Sequence, residues 1–574
     1  MTIPKRRSLA LAALLTLAAG PAGARSGGEV GADDPGPRIH TVGQGPDAVR
    51  WDRRAVEHLW NRAGFGIPEH EIDRWVAAGP RALVDHLLAP RPLAGQELTP
   101  SFTFRPEPID PVELELTPLE ERRKFRQRSR KENGVAFRGL RERWLTQILR
   151  REDPLRDRMC MFWHGVFTSS YQDIKHPSPI IGQHDTLRAG ALGSYEALLR
   201  RMLEDPALLR YLNNDQNRKG KPNENLAREV MELFSLGEGN YTEEDVQEAA
   251  RALTGAGLVK LRNVDTYRFA PGRHDRGEKT ILGVTGRHDP AALATILLDQ
   301  EACPRFIARS VIEYLEGVPP DDERVERYAA LLRETGHDVG FLLRRLLLDP
   351  TFYRDEAVAA RVTSPVDYLA GIAIRLDQPL PGAVLADAAT SLGQDLFRPP
   401  NVKGWDEGLS WISTSTFMLR GNFAGAILGV VDTASMRADA AAFVEEMGEM
   451  DGEMAAMTPK EMRAMSKEQL RRDELATFAR SLEREDHRFE TSIAELVRRT
   501  GAGTDAEVAS ALLDVLLAIE APPETRALVE GQLARAREAA GIEAGGLMQA
   551  RGRSERILRE VAHLALSLPE AQLH

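Results

Sequence analysis

Cysteine is scarce in this chain: two residues in 574, Cys160 and Cys303. Two are too few for a disulfide scaffold, and no pair has the spacing of a zinc site. One disulfide between them is allowed in an oxidising compartment, although a chain this long can bury a large core without it. Long apolar runs are also missing. Past the first 24 residues none approaches the roughly 20 needed to span a membrane, so no integral membrane segment is expected after signal cleavage. A net positive charge is lacking: 75 basic residues face 86 acidic ones, giving −11. Nucleic acid is therefore excluded as a partner, since affinity for it comes largely from Lys and Arg on phosphates. There is no Gly-x-Ser-x-Gly elbow, His-Glu-x-x-His, P-loop or complete dinucleotide fingerprint; Gly255-Ala256-Gly257 lacks the third glycine. The common nucleotide-dependent and zincin chemistries are thereby disfavoured.

What is present begins with an export signal. Lys5, Arg6 and Arg7 precede an apolar stretch from Leu9 to Ala19, and Ala22-Gly23-Ala24 provides a cleavage pattern before Arg25. Residues 1–24 are read as a signal peptide and the protein as periplasmic or extracellular. Sec export is the default, and the Arg6-Arg7 pair leaves the twin-arginine route open. Cleavage removes three basic residues and no acid, moving the charge from −11 to −14. Residues 25–48, rich in Gly, Pro and Asp, form a flexible leader.

From Trp51 onward the apolar residues follow a helical period, as in Val56, Leu59 and Trp60, then Trp75, Leu83, Val84 and Leu87 around Gly79-Pro80. The expected fold is all-α, a multi-helix globular domain with at most one short β-hairpin near 266–282. That hairpin would pair Thr266–Phe269 with Lys279–Leu282. The main helical domain is placed at 49–434. Residues 435–466 hold seven of the chain's 14 methionines and read as an insertion or linker with short helices, and 467–574 as C-terminal helices completing the same domain. The basic cluster Arg122 to Lys131 follows the helix-start signal Thr117-Pro118-Leu119-Glu120 and reads as a solvated helix face.

The side chains most suited to chemistry lie between Asn213 and Gly255. On a helical wheel Leu226, Val230, Leu233 and Phe234 share the core arc, with Asn225, Glu229 and Glu232 on its flank. Two carboxylates and an amide in that position can hold a cation or share a proton. The plainer alternative pairs Arg228 with Glu232 at i+4. Thr242 to Asp245 is explained as a capped helix start. Within the apolar helix Leu155 to Phe167, Cys160 and His164 stand at i, i+4, a spacing open to a metal, a thiolate pair or a satisfied core histidine. His274-Asp275 with Lys279 places a base, an acid and a cation on a loop. Asn401 and Trp405, near Trp411 and the hydroxyls of Ser413 to Thr416, suit a sugar or peptide ligand, or a tryptophan-packed turn.

Several segments, taken in order, resemble an uncharacterised bacterial family catalogued as domain of unknown function 1800. They are Leu59 to Gly66, Met161-Phe162-Trp163-His164, Pro222-Asn223-Glu224-Asn225 through Gly237, Tyr241-Thr242-Glu243 through Gly255, His274-Asp275 with Lys279-Thr280, and Pro399 to Trp405. The resemblance runs from about Trp51 to the end of the chain. It implies a mostly helical, often exported protein, commonly encoded beside a second exported family related to the sulfatase and alkaline-phosphatase superfamily. It implies no activity. Relatives typically carry a second His two residues after the first in the Phe-Trp-His segment, where this chain has Val166.

Two functions are weighed on these residues. In one, the protein binds or assembles with an exported partner, with Asn223, Asn225, Arg228, Asp275, Lys279, Asn401 and Trp405 contacting the ligand or serving as buried struts. In the other it is an exported hydrolase or metal-assisted enzyme, with Glu229 and Glu232 as acid and base and His274 as proton shuttle. The candidate cofactor is a divalent metal, with Glu229, Glu232 and His164 as candidate ligands.

Overall fold

Helices begin where the sequence supplies an oxygen for the free N–H groups of a first turn and a spaced apolar face to bury. Asp52 Oδ1 accepts from Ala55 N at 3.1 Å to open α1 (Arg53–Ala63), which buries Val56, Leu59 and Trp60. The Gly79-Pro80 break separates α2 (Glu69–Ala78) from α3 (Pro80–Leu88). The basic cluster lies on the first turns of α4 (Leu119–Arg150), where most of its side chains are exposed, as a solvated face should be. The computed structural model describes residues 40–44, 48–92, 118–261, 264–434, 437–438, 459–550 and 552–574. The expected signal peptide, three quarters of the leader and most of the Met-rich stretch lie outside them.

At the centre runs α5 (Pro154–Val166), buried from Pro154 through His164, beside α6 (Pro177–Gly190). After the polar loop comes the short α7 (Asn225–Glu229), which passes directly into a π-helical turn, Val230–Ser235. The Thr242 start has the expected form. Thr242 Oγ1 accepts from Asp245 N and Asp245 Oδ2 accepts from Thr242 N, opening α8 (Glu243–Ala252).

The fold is all-α with short hairpins. Among the described residues there are three two-stranded antiparallel ladders, and the strand pairing differs from the single hairpin expected. β1 (Thr41–Val42) pairs with β2 (Val49–Arg50). β3 (Ala256–Leu261) pairs with β4 (Val264–Phe269) in the register Ala256↔Phe269, and β5 (Lys279–Ile281) pairs with β6 (Val284–Gly286). Thr266–Phe269 and Lys279–Ile281 are thus strands, but each takes its nearer neighbour in sequence. Short loops close at lower entropic cost than the connection through Pro271 to Gly277.

Beyond the strands, α9 (Ala302–Glu316), α10 (Pro365–Arg375) and α11 (Thr414–Ile427) add to the core. Where the stretch 435–466 is described near its end, it does not form a short helix of its own. The backbone continues through Ser466 as one helix, α12 (Pro459–Arg484). The closing helix is α13 (Arg553–Leu566). No helix among the described residues is long and apolar enough to cross a membrane. Cys160 and Cys303 are both buried and free, so the allowed disulfide is not formed.

Candidate functional site

A cavity of about 610 Å³ opens beside α5. Its floor is set by charge. Arg158 is buried, donates through Nε to Gly64 O at 2.9 Å, and pairs through Nη1 with Asp367 Oδ1 at 2.6 Å. The Arg158 guanidinium also lies 4.0 Å from the centre of the Phe65 ring. Arg361 and His574 approach the other Asp367 oxygen at 3.7 and 3.8 Å. Burial raises the Asp367 carboxyl, but Arg158 and then Arg361 outweigh it and hold the group below the usual carboxylate range. This cluster is a charge-balanced floor rather than a free acid.

The walls come from segments remote in sequence. Met161, Phe162, Gly165 and Val166 of α5 form one side, Leu233 of the π turn a second, and Glu313 and Tyr314 of α9 a third. Lys403, Trp405, Asp406, Glu407 and Trp411 complete the rim, where Lys403, Asp406 and Glu407 are exposed. The Lys403–Trp405 loop is fixed by its own turn. Asn401 Oδ1 accepts from Lys403 N at 2.8 Å, Trp405 Nε1 donates to Asp395 O at 3.1 Å, and Gly404, at φ +91°, rests on the backbone of Gly165.

Four of the motif segments meet here: Leu59–Gly66 through Phe65, the Phe-Trp-His segment, the helix after Asn225 through Leu233, and Pro399–Trp405. A family described as Protein of unknown function (DUF1800) matches residues 58–573. The chain belongs to the DUF1800 family. No curated protein and no solved structure matches it.

The other residues singled out in this DUF1800 protein fall into separate groups. Glu229 and Glu232 stand on either side of the junction between α7 and the π turn. Tyr241 Oη donates to Glu232 Oε2 at 2.7 Å. The half-buried Glu229 carboxyl is raised, first by burial and then by Glu232, while Arg228 and then Lys403 on the cavity rim oppose the shift. The Arg228–Glu232 pair considered from spacing is not formed. Arg228 instead meets Glu243 Oε2 at 2.7 Å and Glu224 Oε2 at 3.3 Å. The π turn widens the helix just past Arg228, so the i+4 rule does not carry across it.

His274 belongs to a different neighbourhood. Its Nδ1–H donates to Thr254 O at 2.8 Å, while Asp275 Oδ2 accepts from Arg251 Nε at 2.9 Å. That Arg251 bond, opposed by burial, brings the Asp275 carboxyl down to about 2. Lys279 is buried, and its Nζ donates to Asp275 O at 2.6 Å and Gly277 O at 3.0 Å, which braces the loop. Among the described residues no hydrogen bond or ion pair links His274 to Glu229 or Glu232. In the polar loop, Asn223 Oδ1 accepts from Asn225 N at 3.0 Å, and Asn223 N donates to Asn217 Oδ1 at 3.0 Å. Buried Asn217 and Asn214 carry the loop, donating to Ala250 O at 2.9 Å and Ala256 O at 2.8 Å. Much of this polar density is therefore internal bracing.

His164 meets neither glutamate. It faces His184 of α6, with Nε2 3.1 Å from His184 Nδ1, and Cys160 Sγ lies 3.9 Å from the same atom. Among the described residues this is the set of three His, Cys, Asp or Glu side chains whose ligand atoms converge, all within 4.8 Å. Cys160 and His164 share an i, i+4 spacing that is visible in the sequence, whereas His184 lies on another helix and shares no local spacing with them.

Proposed function

We propose that this DUF1800 protein is an exported binding or assembly protein whose cavity holds a peptide segment of an exported partner. The observation that carries the reading is the lining of the cavity. Phe162, Tyr314, Trp405 and Trp411 offer ring faces, while Lys403 opposes Glu313, Asp406 and Glu407. A peptide presents apolar side chains, amides and charges of both signs, which suits this mixture, and the volume falls within the roughly 300–1,000 Å³ of small-ligand sites. Aromatic walls supply contact area at little entropic cost. Partner segments are best drawn first from the sulfatase- or phosphatase-like exported protein that the family resemblance implies.

The test is calorimetric titration of the full chain with overlapping peptides spanning that partner. Binding that Trp405→Ala and Lys403→Ala each weaken by roughly tenfold, or 1.4 kcal/mol, supports the reading. Absence of peptide binding, or wild-type affinity in both variants, refutes it.

A second reading is favoured by the raised Glu229 carboxyl beside Glu232. A carboxyl whose hold on its proton is strengthened by burial suits a general acid. Here the protein is an exported hydrolase, with Glu229 and Glu232 as acid and base and His274 reaching them only if the loop moves. Turnover of a hydrolase substrate panel by the wild type, abolished in Glu229→Gln, would favour it; turnover unchanged in that variant would remove Glu229 from the chemistry.

A further inference from the structure

Helix α5 turns opposite faces to two environments. Arg158, Met161, Phe162 and Gly165 look toward the cavity, while Cys160 and His164 point the other way, to His184. All three side chains of that second group are buried, and the rings of Trp144 and Phe397 close over both histidines with centroids 4.7 to 5.7 Å away. The backbone of Phe397 is held at φ +64°, a conformation bulky residues rarely adopt.

Hydrogen bonding alone does not satisfy this group. If His184 Nδ1 is the acceptor, both the Cys160 thiol and His164 Nε2–H compete for it, and His184 Nε2–H is buried without a partner. If Nδ1 carries the proton and donates to His164 Nε2, the thiol loses its nitrogen acceptor and His184 Nε2 is left as an unused buried acceptor. Every tautomer strands at least one polar atom, at about 1–3 kcal/mol each. A cation among the three would use the sulfur and both facing nitrogen lone pairs together and end the competition for His184 Nδ1, while His184 Nε2–H stays without a partner.

We propose that Cys160, His164 and His184 form a three-coordinate site for copper(I). The donor set is one thiolate and two imidazoles with no carboxylate, which selects soft ions over magnesium or calcium. Charge decides between the soft candidates. Copper(I) with one thiolate is neutral, whereas zinc(II) with one thiolate leaves a net positive charge in an apolar interior, where unpaired charge is costly. Of the charges acting on the Cys160 thiol, Asp157 and Arg188 pair at 2.8 Å and balance, and the carboxylate of Asp185 lies outside the converging donor set. On binding, the Cys160 thiol gives its proton to solvent and its sulfur forms the metal bond; copper stays copper(I), so no oxidant or reductant is consumed. Asp157–Arg188 sits one helical turn from the donors and fixes the spacing of α5 and α6. The site is independent of the cavity reading, because it lies on the other face of α5.

The experiment loads the full chain anaerobically with copper(I) as its acetonitrile complex, removes excess, counts the metal and records X-ray absorption. Expected are one copper(I) per chain with one sulfur and two nitrogen neighbours, retention in Cys303→Ser, and an affinity about 100-fold lower in Cys160→Ser by chelator competition. No stoichiometric copper, a sulfur-free copper environment, equal retention in Cys160→Ser, or preferential binding of zinc(II) would each overturn the assignment. If Cys160→Ser does not fold, the wild-type absorption spectrum still decides.

Discussion

Gly165 and Gly404 touch, yet exchanging each for alanine should have opposite consequences. A methyl group on Gly404 would lie 3.0 Å from Gly165 O and 3.2 Å from Gly165 Cα, both backbone atoms that cannot swing aside. Gly404 also has φ +91°, where an L-residue is strained by about 1–3 kcal/mol. Gly404→Ala should therefore destabilise the protein by at least about 2 kcal/mol, lifting the Lys403–Trp405 loop off α5. A methyl on Gly165 meets no atom within 4 Å, and its backbone is helical. Gly165→Ala should be neutral or stabilising by up to about 1 kcal/mol, through the better helix propensity of alanine. Because Gly165 lines the cavity, the same variant should weaken peptide binding while leaving the fold intact. Urea unfolding followed by tryptophan fluorescence measures both. Equal destabilisation by the two substitutions, or a larger loss from Gly165→Ala, would refute the geometry.

Asp367→Ala should cost about 3–5 kcal/mol, since it leaves Arg158 and Arg361 buried without their carboxylate; a loss below 1 kcal/mol in denaturant titration would mean the floor is not held by that charge. His58 donates to Phe352 O at 2.9 Å, and burial followed by the neighbouring Arg62 holds its imidazole well below its ordinary value of 6.5. The folded state thus binds fewer protons than the unfolded chain below that pH. The stability contribution is complete above pH 6.5 and lost at up to about 1.4 kcal/mol per pH unit as the pH falls. His58→Gln should flatten the stability–pH curve between pH 6.5 and 5, and an unchanged slope would contradict the neutral assignment. For the metal-free chain, Ellman's reagent should find almost no reactive thiol in the native protein and two after denaturation without reductant; none after denaturation would indicate a disulfide.

Helix positions were legible because apolar spacing and caps are local. Thr242 to Asp245 announced a helix start, and the Gly79-Pro80 break fell where α2 ends. Strand identity at Thr266–Phe269 was legible too, but pairing was not, because β4 could close with β3 or with β5 and only the folded chain chooses. Side-chain partners across the π turn were hidden for another reason. An α-helical wheel assumes 3.6 residues per turn, and Val230–Ser235 breaks that period, so Arg228 and Glu232 went to different partners. The motif segments were visible one by one, whereas their meeting at a shared cavity depends on Tyr314, Arg361 and Asp367, which carry no local signature. His184 was missed on the same ground.

A π turn carries one more residue than the α-helical turn it replaces, so Val230–Ser235 is a store of chain length inside a buried helix. Most helices cannot lose a residue without rotating everything beyond the cut. Here deleting one residue would draw the helix back to α period. What would change is the direction of Leu233 and Glu232, one facing the cavity and the other Tyr241. The turn thus makes this wall of the cavity adjustable by length, a kind of change that point substitution cannot reach.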